Sequence, residues 1–253
     1  MKNRAIWGVS FFLIFHAFIW GETGNTILKR VDERMIGAEA PKDVQTVMVM
    51  TIVSAQGREK TRELKAWSKN NLDKDDWRVM KFLSPPDVKN LGFLVLAEDQ
   101  MYLYLPEFRR LRRIASHNKK ESFVGSDFSY NDLGTAGFSS FYEAQLASED
   151  NETWTIELER KPAADKPYKQ IKMWVSKESE LPVKMELYDN SGNLWKVTKE
   201  ENKKVRNYWI AAKITMEDKK KNTYTVLEMK DIKVDQGLED EIFTQRFLKR
   251  RVK

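Results

Sequence analysis

Few residues of this chain have side chains suited to covalent or metal chemistry. The 253 residues include no cysteine and two histidines, His16 and His117. The absence of cysteine excludes disulfides, thiolate nucleophiles and cysteine-ligated metal centres. Neither a phosphate-binding glycine loop nor a Gly-x-Ser-x-Gly nucleophile motif occurs in the sequence. We therefore predict no catalytic residue, no metal site and no cofactor.

A hydrolase is the weakest of the alternatives that the sequence leaves open. Gly125-Ser126-Asp127 contains a serine, but no strand, sharp turn and helix surround it as a nucleophile would require. His117 lies in a polar loop, and the neighbouring Lys119 and Lys120 would compete for its acidic partner. Carboxylate pairs can be drawn among the 38 acidic residues, yet their spacing favours no glycosidase.

The densest charge lies in the segment Phe108 to Ile114, which contains Arg109, Arg110, Arg112 and Arg113. On a strand, Arg110 and Arg112 would share one face. One interpretation is protection of an edge strand, with salt bridges to the many acidic residues. Another is docking to phosphate head groups or to a partner protein. We expect no nucleic-acid partner, because the net charge of +6 is modest and the chain carries an export signal.

The N-terminal residues are typical of a secretory signal peptide. A basic start, Met1 to Arg4, precedes the uncharged apolar run Ala5 to Trp20 and the small residue Gly21. We predict removal of residues 1–21, export to the periplasm and a mature net charge of +4, since Lys2 and Arg4 are lost. An uncleaved membrane anchor stays open as the alternative, although the run is short for a bilayer span.

After the signal, the pattern predicts one helix and then a long series of strands. Residues 25–36 place apolar side chains on one helical stripe, with Asn25 or Thr26 as the cap. From Val44 onward, alternating apolar and polar residues predict about eleven strands with short connections, and therefore antiparallel pairing. A polar loop covers 116–137, and a short helix is predicted near Phe141 to Leu146. The fold class is mainly β with a few helices, in a single domain over residues 22–253.

Several predicted strands are apolar on both faces and must be covered on both sides. Examples are Val44 to Val53, Leu91 to Leu96 and Met101 to Leu105. One helix cannot cover so much sheet, so the remaining apolar face must curl on itself, lie under loops or line a cavity. The flexible methionines on these strands suit an adaptable apolar wall, but from the pattern alone ordinary core packing is the favoured interpretation.

Three segments of the sequence resemble the outer membrane lipoprotein-sorting protein family, which are periplasmic relatives of the LolA lipoprotein carrier. They are 91–96, the run Met101 to Ile114 with its Tyr-Leu-Pro and arginines, and the run Phe123 to Leu133 with its Gly-Ser-Asp-Phe. The resemblance implies an unclosed barrel, formed by one antiparallel sheet curled over helices. It also implies an apolar cavity for acyl chains, and it favours cavity roles for Met48, Met50 and Met173.

On this basis we predict a non-catalytic periplasmic carrier or chaperone that moves lipid or lipoprotein acyl chains towards the outer membrane. Its expected partners are those acyl chains, an inner-membrane transport complex and an outer-membrane acceptor, and we expect a monomer. The predicted head-group or partner surface is Arg109, Arg110, Arg112 and Arg113. The predicted structural loop comprises Gly125, Ser126, Asp127, Phe128, Tyr130 and Asp132. The candidate cavity residues are Met48, Met50, Ile52, Phe93, Val95, Leu103, Ile156, Leu158, Ile171, Met173, Val175, Met185 and Met229.

A second function remains open from the residues alone. An accessory or sensor module could dock onto a membrane transport complex through its sheet and arginine cluster. Such a module would hold no lipid and would lose its partner when Arg110 and Arg112 were reversed in charge.

Overall fold

A computed structural model of the protein describes residues 22–72, 75–134 and 137–251. The predicted signal peptide, residues 1–21, lies outside this range. The three α-helices of the described residues are α1 (Gly24–Met35), α2 (Tyr130–Gly134) and α3 (Gln245–Lys249). The strands are β1 (Asp43–Val53), β2 (Glu59–Lys69), β3 (Trp77–Ser84), β4 (Gly92–Ala97), β5 (Gln100–Leu105), β6 (Arg110–Arg113), β7 (Tyr142–Glu149), β8 (Thr153–Arg160), β9 (Gln170–Ser176), β10 (Pro182–Tyr188), β11 (Leu194–Val205), β12 (Tyr208–Asp218) and β13 (Thr223–Val234).

The strands of the described residues form one antiparallel sheet in the order β6-β5-β4-β3-β2-β1-β13-β12-β11-β10-β9-β8-β7. Strand β1 pairs with β13, so the first and last strands of the chain meet in the middle. Strands β6 and β7 are the two edges, and the sheet does not close into a barrel. The predicted class and antiparallel sheet are confirmed, but the sheet has thirteen strands instead of about eleven.

Strand β7 occupies the region where a short helix near Phe141 to Leu146 was predicted, and that prediction is wrong. Glu143, Ala144 and Gln145 favour a helix when taken alone. However, Tyr142 and Ala144 are buried while Glu143 and Gln145 are exposed, which is the alternation of a strand. Pairing of β7 with β8 along its length provides the backbone hydrogen bonds that a helix would have made internally.

Helix α1 covers one end of the inner face of the sheet. Its apolar stripe, Ile27, Leu28 and Val31, is fully buried in the main core, and the helix contacts β7, β8 and β12. The cap is Thr23, whose hydroxyl accepts a hydrogen bond from the Thr26 backbone, rather than the predicted Asn25 or Thr26. None of the helices in the described ranges is both long and apolar enough to cross a bilayer.

The loop of residues 116–134 covers the inner face of β2 to β5. Its Phe123 packs between Phe82 and Phe93, with ring centroids 5.8 and 5.3 Å away, and Tyr130 packs edge-on against Phe123. Asp127 fastens the loop to β13, because it accepts hydrogen bonds from the hydroxyls of Thr223 and Thr225. The inner face is therefore densely packed over this part of the sheet.

The outer face of the same strands is covered by the C-terminal strap, which we define as residues 238–250. Phe247 of the strap meets Trp67 edge-on at 5.5 Å, and Phe243 packs against Trp77 at 5.9 Å. Leu94 of β4 is fully buried in this second cluster. The strap thus explains why β4 is apolar on both faces, since its outer side chains also lie in a core.

Candidate ligand-binding site

An apolar pocket of about 190 Å³ lies on the inner face over strands β9 to β12, between the loop, the β8–β9 connection and the end of α1. Aromatic and aliphatic side chains form most of its wall, and polar groups converge at a few points. The wall residues are Met35, Phe128, Asn131, Asp132, Phe138, Tyr142, Lys166, Tyr168, Ile171, Met185, Leu187, Thr198, Glu200, Ala211, Ile214 and Met216.

Strand register brings the floor of the pocket together. Met185 of β10 pairs with Thr198 of β11, and Thr198 pairs with Met216 of β12. Directly opposed residues of an antiparallel sheet point to the same face. One row further along, Glu200 pairs with Ile214. The inner face of β11 therefore presents polar side chains to a surface that its neighbours make apolar.

A buried polar cluster closes one side of the pocket. The Asp132 carboxylate accepts hydrogen bonds from the Tyr168 hydroxyl at 2.8 Å and from Lys196 Nζ at 3.0 Å. The Asp132 and Lys196 side chains are 8% and 4% exposed, so this ion pair is shielded from solvent. Burial and the adjacent Asp132 raise the pKa of Tyr168 well above its usual range. The cluster stays fixed and gives the pocket one polar, rigid boundary.

Glu200 places a carboxyl group among apolar side chains. Burial raises the pKa of Glu200 to about 7, and the nearby Thr198 hydroxyl partly opposes this shift. A second cavity of about 170 Å³ adjoins the pocket and shares Met35, Glu200 and Ala211 with it. Near neutral pH, a substantial fraction of Glu200 is protonated, and the wall that the two cavities share then carries an uncharged carboxyl group.

The structure places the predicted cavity residues in four different surroundings. Ile171 and Met185 line the apolar pocket, and Val95 lines a separate, more polar cavity near the end of α1. Ile52 and Met229 are half-buried at the margin of the main core. The remaining eight are buried within that core and reach no pocket wall described above: Met48, Met50, Phe93, Leu103, Ile156, Leu158, Met173 and Val175.

The predicted loop residues lie together beside the site. Gly125 adopts a left-handed φ of +78°, and the buried Ser126 hydroxyl donates to the backbone carbonyl of Phe123. Phe128 and Asp132 line the apolar pocket, whereas Tyr130 packs in the aromatic cluster under β4. The segment therefore both covers the packed strands and provides part of the pocket wall.

The predicted arginine surface lies elsewhere. Arg110, Arg112 and Arg113 are exposed on the edge strand β6, and Arg109 precedes them in a turn. Arg110 and Arg112 pair with Leu105 and Leu103, so they extend from the inner face of the edge. None of the four arginines lines the apolar pocket.

Sequence reasoning missed most of the pocket wall. Ala211, Ile214 and Met216 carry a recognisable apolar pattern along β12, which could have suggested an inward face. Lys196, Thr198 and Glu200 are polar residues at every second position and are typical of a solvated face, although they point inward here. No group of three or more histidine, cysteine or carboxylate side chains in the described ranges is arranged to hold a metal ion.

Several solved protein structures have the same architecture as this chain. A family model described as an uncharacterized protein matches residues 74–250. A DUF1329 family protein from Desulfovibrio piger superposes with a TM-score of 0.82 at 26% identity, covering 89% of this chain and 97% of that one. A domain described as an outer membrane lipoprotein-sorting protein, from Vibrio parahaemolyticus, gives 0.81 at 28% identity, covering 90% and 98%.

A LolA superfamily protein from Nitrosomonas europaea gives a TM-score of 0.71 at 22% identity, covering 90% of this chain and all of that one. A search of curated proteins finds no match to the sequence. Each structural alignment spans about nine tenths of this chain, so the similarity concerns the architecture as a whole.

Proposed function

We propose that this chain, which belongs to the family matched over residues 74–250 and shares its fold with an outer membrane lipoprotein-sorting protein domain and a LolA superfamily protein, is a periplasmic, non-catalytic carrier of acyl chains. In this proposal residues 1–21 are removed on export and residues 22–253 act as one domain. The acyl chain belongs to a lipid or a lipoprotein. An inner-membrane complex loads the carrier, and an outer-membrane acceptor receives the cargo.

The apolar pocket over β9 to β12 is the observation that carries this proposal. An exposed acyl chain of ~15 methylenes costs about 12 kcal/mol in water, at ~0.8 kcal/mol per methylene. The pocket and its neighbouring cavity together reach the lower end of the ~300–1,000 Å³ that is usual for ligand sites. Met35, at their junction, is 38% exposed and has the flexible side chain that can give way to a ligand.

A pocket-filling variant tests the proposal. Ala211 lines both cavities, so Ala211→Phe should place a ring where the chain would lie. We expect at least about a tenfold loss of affinity for a fluorescent monoacylglycerol, since the ring removes contact with several methylenes at ~0.8 kcal/mol each. Thermal unfolding should shift little, because the ring enters existing space.

Thr215→Phe is the matched control on the same strand. Thr215 pairs with Lys199 and Val226 and therefore lies on the opposite face from Ile214 and Met216. This control should bind the probe as the unaltered protein does. Failure of the unaltered, folded protein to bind any acyl probe would contradict the carrier function, and equal affinity in Ala211→Phe would remove this pocket as the site.

A further inference from the structure

A basic cleft of about 610 Å³ adjoins the apolar pocket, and the two share Asn131 and Lys166 as wall residues. The cleft lies between the segment after β6, the β8–β9 connection and the β10–β11 turn. Its cationic wall residues are Lys119, Lys120, Arg160 and Lys166, while His117 also lines it and Asp165 contributes an acidic group. An apolar pocket therefore opens beside a cavity that is rich in positive charge.

Lys119 is the unusual member of this cleft. The residue is 8% exposed, and no hydrogen bond or ion pair within the described ranges holds its ammonium group. The Nζ atom is not among the buried, unpartnered polar atoms of the described residues, so it is open to the cleft, where an anion can pair with it. The flanking His117 and Lys120 are exposed and likewise have no ion-pair partner among the described residues.

Lys166 places a second buried cation close to the first. Its ammonium group bonds Glu98 at 2.7 Å and lies 3.8 Å from the centre of the Phe141 ring. Burial lowers the pKa of Lys166, and the like charge of Lys119 lowers it further, whereas Glu98 opposes both. Glu98 and Asp165 therefore face the four cations Lys119, Lys120, Arg160 and Lys166, and this part of the cleft retains an excess of positive charge.

The far end of the pocket has the opposite character. Glu200 lies at the boundary with the second cavity, whereas Lys166 lies at the boundary with the cleft. A negative head group would be repelled by ionised Glu200 and attracted by Lys119. The pocket is thus polarised along its length, and an anionic head group is favoured at the end beside the cleft.

We infer that the cargo is an anionic amphiphile, whose phosphate or carboxylate head group lies in the basic cleft beside Lys119 while its acyl chain occupies the apolar pocket. This inference rests on the proposed carrier function and adds the class of ligand. The head-group site is formed by the loop and the β8–β9 connection, and the arginines of β6 take no part in it.

Three probes of equal chain length test the inference on the full mature protein: a lysophosphatidic acid, a fatty acid and a neutral monoacylglycerol. We expect both anionic probes to bind about tenfold more tightly than the neutral one, as a charge-assisted hydrogen bond would provide. Excess inorganic phosphate should reduce that advantage. Added salt should also weaken binding of the anionic probes selectively.

Lys119→Met separates the head-group contact from binding of the chain. This variant should lose about tenfold in affinity for the anionic probes and keep its affinity for the monoacylglycerol. Lys60→Met, at an exposed position of β2 outside the cleft, is the matched control and should change neither. If Lys119→Met fails to fold, Lys120→Met takes its place, because Lys120 is exposed and its substitution should leave the fold intact. We expect Lys120→Met to lose affinity for the anionic probes in the same way, but by a smaller factor.

Equal affinity for the anionic and neutral probes would overturn this inference and leave the carrier function intact. If none of the three probes binds, the carrier function itself fails. If inorganic phosphate alone stabilises the protein as strongly as lysophosphatidic acid does, the cleft is a site for a free anion, and the inference is again overturned.

Discussion

The inner face of the sheet is divided into two halves that differ in what covers them. Over β1 to β5, which we call the packed half, the loop brings Phe123 and Tyr130 into a dense aromatic cluster. Over β9 to β12, which we call the open half, the loop, the β8–β9 connection and the end of α1 leave space above the strands, and this space is the apolar pocket. Met48 and Met50 in the packed half are as apolar as Met185 and Met216 in the open half. An apolar residue on the inner face therefore lines a ligand pocket only where the segment above it is not packed directly against it.

The two halves of the sheet also differ in what covers their outer face. The C-terminal strap packs on β2 to β5 through Phe243 and Phe247, so those strands of the packed half are held from both sides. Lys81 of β3 lies beneath the strap and donates to the backbone carbonyls of Phe247 and Arg250. We infer that the packed half is the rigid support and that the open half adapts to cargo.

The largest expected effect comes from breaking the packed half. Phe123→Ala removes a fully buried ring that contacts Phe82, Phe93 and Tyr130. We expect a loss of about 3–5 kcal/mol in the free energy of unfolding, measured by urea denaturation. Protein that remains folded should bind a monoacylglycerol normally, because the ring lies outside the pocket wall. A specific loss of affinity without loss of stability would contradict the division into halves.

The anchor of the loop should have a smaller effect. Asp127→Asn removes the negative charge that accepts hydrogen bonds from Thr223 and Thr225. We expect unfolding to become easier by about 1.5 kcal/mol, as for loss of a charge-assisted hydrogen bond. Asp99→Asn is the control, since the Asp99 side chain is 70% exposed. If both variants are equally stable, the loop is held by packing alone.

The smallest expected effect lies in the open half and depends on pH. The pKa of Glu200 rises from 4.5 to about 7 on folding, so the folded state favours the neutral carboxyl. The stability that this provides is complete below pH 4.5 and is lost as the pH rises towards 7. Glu200→Gln should therefore stabilise the protein at pH 8 by about 1 kcal/mol, reduced for partial exposure, and should change nothing at pH 4.

The measurement for Glu200 is urea denaturation of both proteins across this pH range. Monoacylglycerol binding to the unaltered protein should also weaken as the pH rises through 7, whereas Glu200→Gln should bind equally at both ends. A stability difference that does not vary with pH would show that the Glu200 carboxyl is solvated, and the polarised pocket would then lose its acidic end.

The sequence pattern predicted the class of this fold because most strands show an alternation of apolar and polar residues within their own segment. Alternation along β8, β9 and β10 and the turn at 189–193 require only local interactions. Helix α1 was likewise predicted from its apolar stripe, with its cap two or three residues away. Strand β7 was missed because its pairing with β8, which is not encoded in its own eight residues, overrides their local helix propensity.

The site was predicted less well, because it depends on contacts between distant segments. The two-faced β4 suggested a cavity, but the strap buries its outer face and the loop buries its inner face. The inward turn of Lys196 depends on its ion pair with Asp132, 64 positions earlier in the chain. The cationic cleft joins Lys119 to Lys166, and no local pattern predicts that proximity.

Photo-cross-linking tests the central claim most directly. A monoacyl probe with a diazirine along its chain would be bound to the mature protein, irradiated and located by mass spectrometry of proteolytic peptides. We predict labels in 185–187 and 210–216, which form the open half, and their loss in Ala211→Phe. Labels in 48–52 or 93–103 instead would place the acyl chain in the packed half and contradict this account.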